Sequence, residues 1–131
     1  MRLRIITLST TLLATTVFAN WIDCGGKALS VQLDGVGHSI HYLHRRVERE
    51  VDHAPPNMRY LMPILCEEVS CLEGTQIRWC NEDKNYGRTM DLVHIVEAAE
   101  VLRAECQEQY KGKTVAGGVI YHEDKWTVIM Q

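Results

Sequence analysis

Six histidines and five cysteines are the side chains of this 131-residue sequence best suited to chemistry. His38, His41 and His44 stand three residues apart, a spacing that looks like a metal cluster. On a helix, however, each i, i+3 step rotates by about 60°, so three such residues fan out instead of converging. His44 borders an apolar stripe, His41 lies further round and His38 faces away. A zinc pair built on them needs a third ligand from elsewhere. The expectation is two exposed histidines and one packed at the edge of the core, with no metal ligand and no cofactor. A second arrangement is His122-Glu123 with His41 and a basic residue such as Arg78. These could imitate the acid–base pair of a secreted ribonuclease, or of an inactive relative of one. The competing expectation is that His122-Glu123 is an exposed hairpin turn. No nucleophile-elbow pattern and no glycine-rich phosphate loop after a strand occurs, so no catalytic residue is assigned and the chain reads as a non-enzyme.

The cysteines point to disulfides. Four of the five lie between Cys66 and Cys106. Glu73-Gly74 is a turn signal between two β-prone runs, Cys66–Leu72 and Thr75–Cys80. A three-residue loop at 72–74 would set residue 71 against 75 and Cys66 against Cys80, within bridging distance. Leu92, Ile95, Val96, Ala99, Leu102 and Cys106 then share one face of the clearest helix in the sequence. Thr89 is its expected cap and Asp91 belongs to its first turn. Cys106 is thereby turned toward the core, where it can meet Cys24 beside the first strand. The spacing contains no pair of Cys-x-x-Cys motifs. Two bridges and one leftover thiol is the simplest count.

Those elements belong to a chain that opens like an exported one. Arg2 and Arg4 precede an apolar stretch, Ile5–Val17, and Val17-Phe18-Ala19 has small residues where a leader is cleaved. The expected division is a leader at 1–19 and a single domain at 20–131, located outside the cell in an oxidising setting. The leader carries Arg2 and Arg4 and no acid, so its removal takes the formal charge from −3 to −5. An acidic domain is poorly matched to phosphate neutralisation, and nucleic acid is excluded as a partner. No second apolar run follows, so no stable membrane insertion is expected. No Asn-x-Ser/Thr acceptor is present.

Along the domain, Trp21–Cys24 is β-prone and stopped by Gly25-Gly26, while Ala28–Leu33 is ambiguous between strand and loop. Val36, Ile40, Leu43, Val47 and Val51 form a helical stripe, with Asp34 as its cap and Pro55-Pro56 beyond it. Tyr60–Leu65 is apolar, limited by Pro63 to an edge or bulge. Asn81–Arg88 and Gln107–Lys113 read as polar loops flanking the second helix. Val115–Tyr121 and Trp126–Met130 form a closing hairpin, in which Gly117-Gly118 marks a bulge or a close backbone approach. The predicted fold is α+β: one antiparallel sheet with both helices on one face, a disulfide-stapled two-layer sandwich. Ile77, Trp79, Val119, Trp126 and Val128 are its expected core strand residues. The candidate interaction surface is Lys84, Arg88, Lys111 and Lys113, loop charges displayed by a rigid scaffold.

The run Cys71-x-x-Gly-Thr-Gln-Ile, Cys80, a helix ending in a cysteine, and a strand Trp-Thr-Val-Ile resembles the killer-toxin-like small secreted fungal proteins. Ile22-Asp23-Cys24, close to the cleavage site, is similar to the start of that group. The resemblance spans most of residues 20–131. It implies a disulfide-stapled α/β sandwich, a bridge Cys24–Cys106, and a non-enzymatic toxin or virulence-related effector. Such a protein would act, as a monomer, on a protein of a host or competitor. Two departures matter. The cysteine that closes the family's pattern at the C-terminus has no counterpart in Ile129-Met130-Gln131, which makes Cys71 the leftover thiol. The family toxin's basic residue two positions before the strand-opening cysteine is also missing, because Glu67-Glu68-Val69-Ser70 is acidic and apolar. Calcium-channel blockade therefore does not carry over.

Overall fold

A computed structural model describes residues 20–25, 31–50 and 57–131. The leader and its cleavage site, Gly26, Ala28–Ser30, Val51 and Pro55-Pro56 lie outside them.

The elements run β1 (Trp21–Asp23), β2 (Val31–Gln32), α1 (Leu33–Glu50), β3 (Met58–Leu61), β4 (Cys66–Leu72) and β5 (Thr75–Asn81). Then come β6 (Arg88–Asp91), α2 (Leu92–Glu105), β7 (Gln107–Tyr110), β8 (Lys113–Ala116), β9 (Gly118–His122) and β10 (Trp126–Met130). Among the described residues the fold is α+β, with two helices and antiparallel strand pairs. The expected single sheet is instead three sheets. One has five strands in the order β1-β9-β10-β5-β4, one has β2-β8-β7, and one pairs β3 with β6. The segment expected to be a polar loop, Gln107–Lys113, is mostly strand. Lys111 and Gly112 take φ of 50° and 76°, the two-residue turn whose twist suits a hairpin, and Tyr110 pairs with Lys113.

The β4–β5 hairpin differs from its expected form in two ways that cancel. Glu73 and Gly74, at φ 49° and 77°, make a two-residue turn, so Leu72 faces Thr75. A bulge between Glu68 and Ser70 then shifts the register by one residue. Cys66 still ends opposite Cys80. The closing hairpin is likewise cut differently, since the Val115–Tyr121 run breaks at Gly117 into β8 and β9. At Gly118 a Cβ would stand 2.5 Å from the Asp23 carbonyl oxygen. Only glycine lets β1 approach this closely.

The core gathers Val36, Ile40 and Leu43 from α1, and Leu92, Ile95, Val96, Ala99 and Leu102 from α2. They meet Ile77, Trp79, Ile120, Val128 and Met130 from the strands. Val47 is partly buried against this cluster. α1 packs on α2, β4 and β5, and α2 packs on β9 and β10. The α2 cap is Asp91, not Thr89. Its carboxylate accepts from the Val93 N–H at 3.0 Å, and Thr89 belongs to β6. Asp34 is inside the first turn of α1, because the helix begins one residue before it. Pro63 falls in the turn after β3, which ends at Leu61.

Candidate functional site

Two disulfides set the frame. Cys24–Cys106 joins the end of β1 to the C-cap of α2, with Cα atoms 5.2 Å apart, and Cys66–Cys80 crosses the β4–β5 pair at 4.0 Å. Cys71 is free and exposed on β4. The other four cysteines are bridged to one another, which leaves Cys71 no thiol to pair with inside the fold.

The four basic candidates stand on different elements. Lys84 is exposed in the loop after β5. Arg88 is not a solvated loop charge: it opens β6, and its guanidinium donates to Asp124 Oδ2 at 3.2 Å and to the Asp124 carbonyl. That contact ties β6 to the β9–β10 turn. Lys111 and Lys113 lie on the β7–β8 hairpin, facing a depression shared with Glu73 and Tyr110. The Lys111 ammonium sits 5.2 Å from the centroid of the Tyr110 ring. Arg88 lines a different cleft, with His94 and His122.

The histidines separate as helical geometry requires. His38 and His41 are exposed and His44 is half-buried. His38 donates from Nδ1 to Glu73 Oε2 at 2.5 Å, and His44 Nε2 bonds the Glu100 carboxylate. The Glu73 hydrogen bond and charge raise the His38 pKa above its ordinary value. Both partners are carboxylates on neighbouring elements, so these residues fasten α1. Among the described residues, no group of three or more His, Cys, Asp or Glu is placed to hold a metal ion.

His122 differs from its expected place on an exposed turn. It ends β9, half-buried, and its ring stacks on Trp126 at 3.4 Å and 6°. Nδ1 lies 3.1 Å from the Trp126 carbonyl oxygen, which can only accept, so Nδ1 carries a proton. Burial lowers the His122 pKa, against the smaller opposing effect of that hydrogen bond. Arg78 lies on β5 and His41 on the exposed side of α1; neither lines the clefts at His122. The histidine that does is His94, from the first turn of α2. Sequence spacing could not single it out, since residues 94 and 122 come to line one cleft only through the packing of α2 on β9.

Two apolar exposures were also not legible in sequence. Asn81, fully buried at the end of β5, directs its amide at the carbonyls of Leu61, Met62 and Tyr86. Two loops are held together in this way; Met62, Ile64, Leu65 and Tyr86 stay exposed on them, and Tyr60 on the adjoining β3. Trp21 and Tyr121 are exposed together on the edge of the five-stranded sheet. Among the described residues, no helix is long and apolar enough to cross a membrane. Comparison with protein-family models, with curated proteins and with solved structures finds no match to this chain.

Proposed function

We propose that the chain is exported, cleaved after Ala19, and acts outside the cell as a non-enzymatic, effector-like or toxin-like protein on a protein of a host or competitor. The observation that carries this reading is the pair of disulfides, Cys24–Cys106 and Cys66–Cys80. Bridges of this kind persist in oxidising compartments and suit a small domain with a limited core. The basic start, apolar run and small-residue site at 1–19 supply the export signal. The resemblance to killer-toxin-like secreted fungal proteins agrees with the bridge from the first cysteine to the end of α2. In this reading α1 and α2 cover one face of the five-stranded sheet as a two-layer sandwich, and recognition uses the exposed loops and sheet edge.

The test is mass spectrometry of the culture medium from expressing cells, followed by capture of binding proteins with the recovered chain. A secreted species beginning at Asn20 with two intact bridges is expected. Intact Met1 in a membrane fraction would end the proposal. A ribonuclease-like reading has one observation in its favour, the cleft shared by His94, His122 and Arg88. Cleavage of single-stranded RNA that disappears in His122→Gln would replace the non-enzymatic reading with that one.

A further inference from the structure

Trp21 stands directly across from Tyr121 in the β1–β9 pair. The ring centroids are 4.9 Å apart with the planes tilted by 35°. Trp21 is 66% exposed, while the other two tryptophans, Trp79 and Trp126, are buried. Two large rings left partly in water side by side form an exposed apolar surface. The pair lines a depression of about 470 Å³ whose other walls include Glu82, Glu123, Lys125 and Thr127. That volume falls within the usual range of small-ligand sites.

The charges decide what class of ligand fits. Lys125 opposes a cation, and Glu82 and Glu123 oppose an anion. A neutral polyol meets neither objection, since its hydroxyls donate to carboxylates and accept from an ammonium. Thr127 Oγ1 already donates to Glu82 Oε1 at 3.0 Å, which holds that carboxylate at the site. The aromatic faces match the C–H face of a sugar ring, and cross-strand pairing fixes both rings before binding, so little entropy is lost. We propose that this depression is a saccharide site, taking one or two pyranose units of a neutral oligosaccharide. The inference deepens the extracellular reading by naming a ligand met at cell surfaces. Binding is measured on purified protein, so failure of export and failure of saccharide recognition are read separately.

Collisional quenching of tryptophan fluorescence reports on Trp21, the one exposed tryptophan of the three. Hexamers of β-linked glucose and of N-acetylglucosamine are the probes, with hexalysine and a sulfated hexasaccharide as the charged arms. At least one neutral hexamer should protect Trp21 at millimolar concentration. Tyr121→Ala should weaken that protection at least tenfold, and Lys125→Glu should shift preference toward hexalysine. Should Tyr121→Ala not fold, Lys125→Glu, in an exposed turn, carries the test. Absence of protection by both neutral hexamers at about 10 mM, a Kd far above specific recognition, overturns the proposal. So does protection by a charged arm alone, which would make this a peptide or anion site, or full affinity in Tyr121→Ala.

Discussion

The two helices reach the same core by different means. α2 buries Leu92, Ile95, Val96, Ala98, Ala99 and Leu102. It is closed at one end by the Asp91 cap and at the other by the bridge from Cys106 to Cys24. α1 is the longer helix, yet it buries a narrower apolar stripe, Val36, Ile40 and Leu43. Further polar bonds attach it: the buried Ser39 hydroxyl donates to the Leu72 carbonyl at 3.4 Å, and the more exposed His38 and His44 pair with Glu73 on the β4–β5 turn and Glu100 on α2. Covalent, apolar and backbone attachments are nearly indifferent to pH, whereas the His38–Glu73 pair, in which the carboxylate raises the histidine pKa, is not. α2 thus belongs to the permanent frame, and α1 carries one attachment, His38 to Glu73, whose strength depends on pH.

The hardest test of that contrast is removal of the α2 staple. Cys24–Cys106 spans 82 residues and Cys66–Cys80 spans 14. Chain-entropy reasoning assigns about 4–5 kcal/mol to the longer loop and about 3 kcal/mol to the shorter. Domains of this size hold only about 5–15 kcal/mol in all. Cys106→Ala should therefore leave the protein barely folded in a urea titration, and Cys66→Ala should lower the midpoint less. Cys71→Ala should shift it by under about 0.5 kcal/mol. A larger loss from Cys66→Ala than from Cys106→Ala would reverse the assignment of the frame.

The caps provide the next comparison. Asp91 accepts a backbone hydrogen bond at the start of α2, and its replacement by alanine should cost about 0.5–2 kcal/mol. Asp34, inside the first turn of α1, acts through the helix dipole, and Asp34→Ala should cost about 0.3–1 kcal/mol. Equal losses in chemical denaturation would remove this distinction between the helices.

What could be read beforehand follows the same division. The apolar faces of both helices, and the burial of Ile77, Trp79, Val119, Trp126 and Val128, follow from periodicity, which is a property of local sequence. Strands β6 and β7 were missed because Arg88–Asp91 and Gln107–Tyr110 are mostly polar. They pair at the margins of the fold, where alternation of apolar and polar residues is not required. The Cys66–Cys80 register was reached through a turn one residue too long and a bulge not foreseen. Neither a positive φ at Glu73 nor the extra residue near Val69 has a strong sequence signature. The sharing of one cleft by His94 and His122, and the contact of Trp21 with Tyr121, depend on long-range packing and pairing that spacing along the chain does not encode.

Arg88 and Lys84 bring the comparison down to single surface charges. Arg88 is held by Asp124 and is only partly exposed. Arg88→Glu sets two carboxylates together and should cost on the order of 1 kcal/mol in thermal or urea unfolding. Lys84→Glu, on an exposed loop, should fall within about 0.5 kcal/mol of the parent. Matching values would mean that the β6 contact with the β9–β10 turn contributes nothing.

The smallest effect is the dependence of the α1 attachment on pH, and it is separable by sign. Glu73 is the main partner of His38, with Asp34 adding a weaker attraction, and both hold its pKa above the ordinary 6.5. The folded state then binds that proton more tightly than the unfolded chain. The stabilisation is fully present below pH 6.5 and is lost as pH rises through the folded value. His122 runs the other way, because burial beside Trp126 lowers its pKa below 6.5. Its neutral ring is matched to the fold above pH 6.5, and stability falls as pH drops from 6.5 toward the lower folded value. Unfolding free energies of the parent, His38→Gln and His122→Gln, measured from about pH 5 to pH 8.5, should resolve the two. The difference between parent and His38→Gln should shrink toward alkaline pH, and that between parent and His122→Gln should shrink toward acid. A His38→Gln difference that stays constant across the range would mean that the bond to Glu73 holds without the imidazolium charge, and α1 would then be as indifferent to pH as α2.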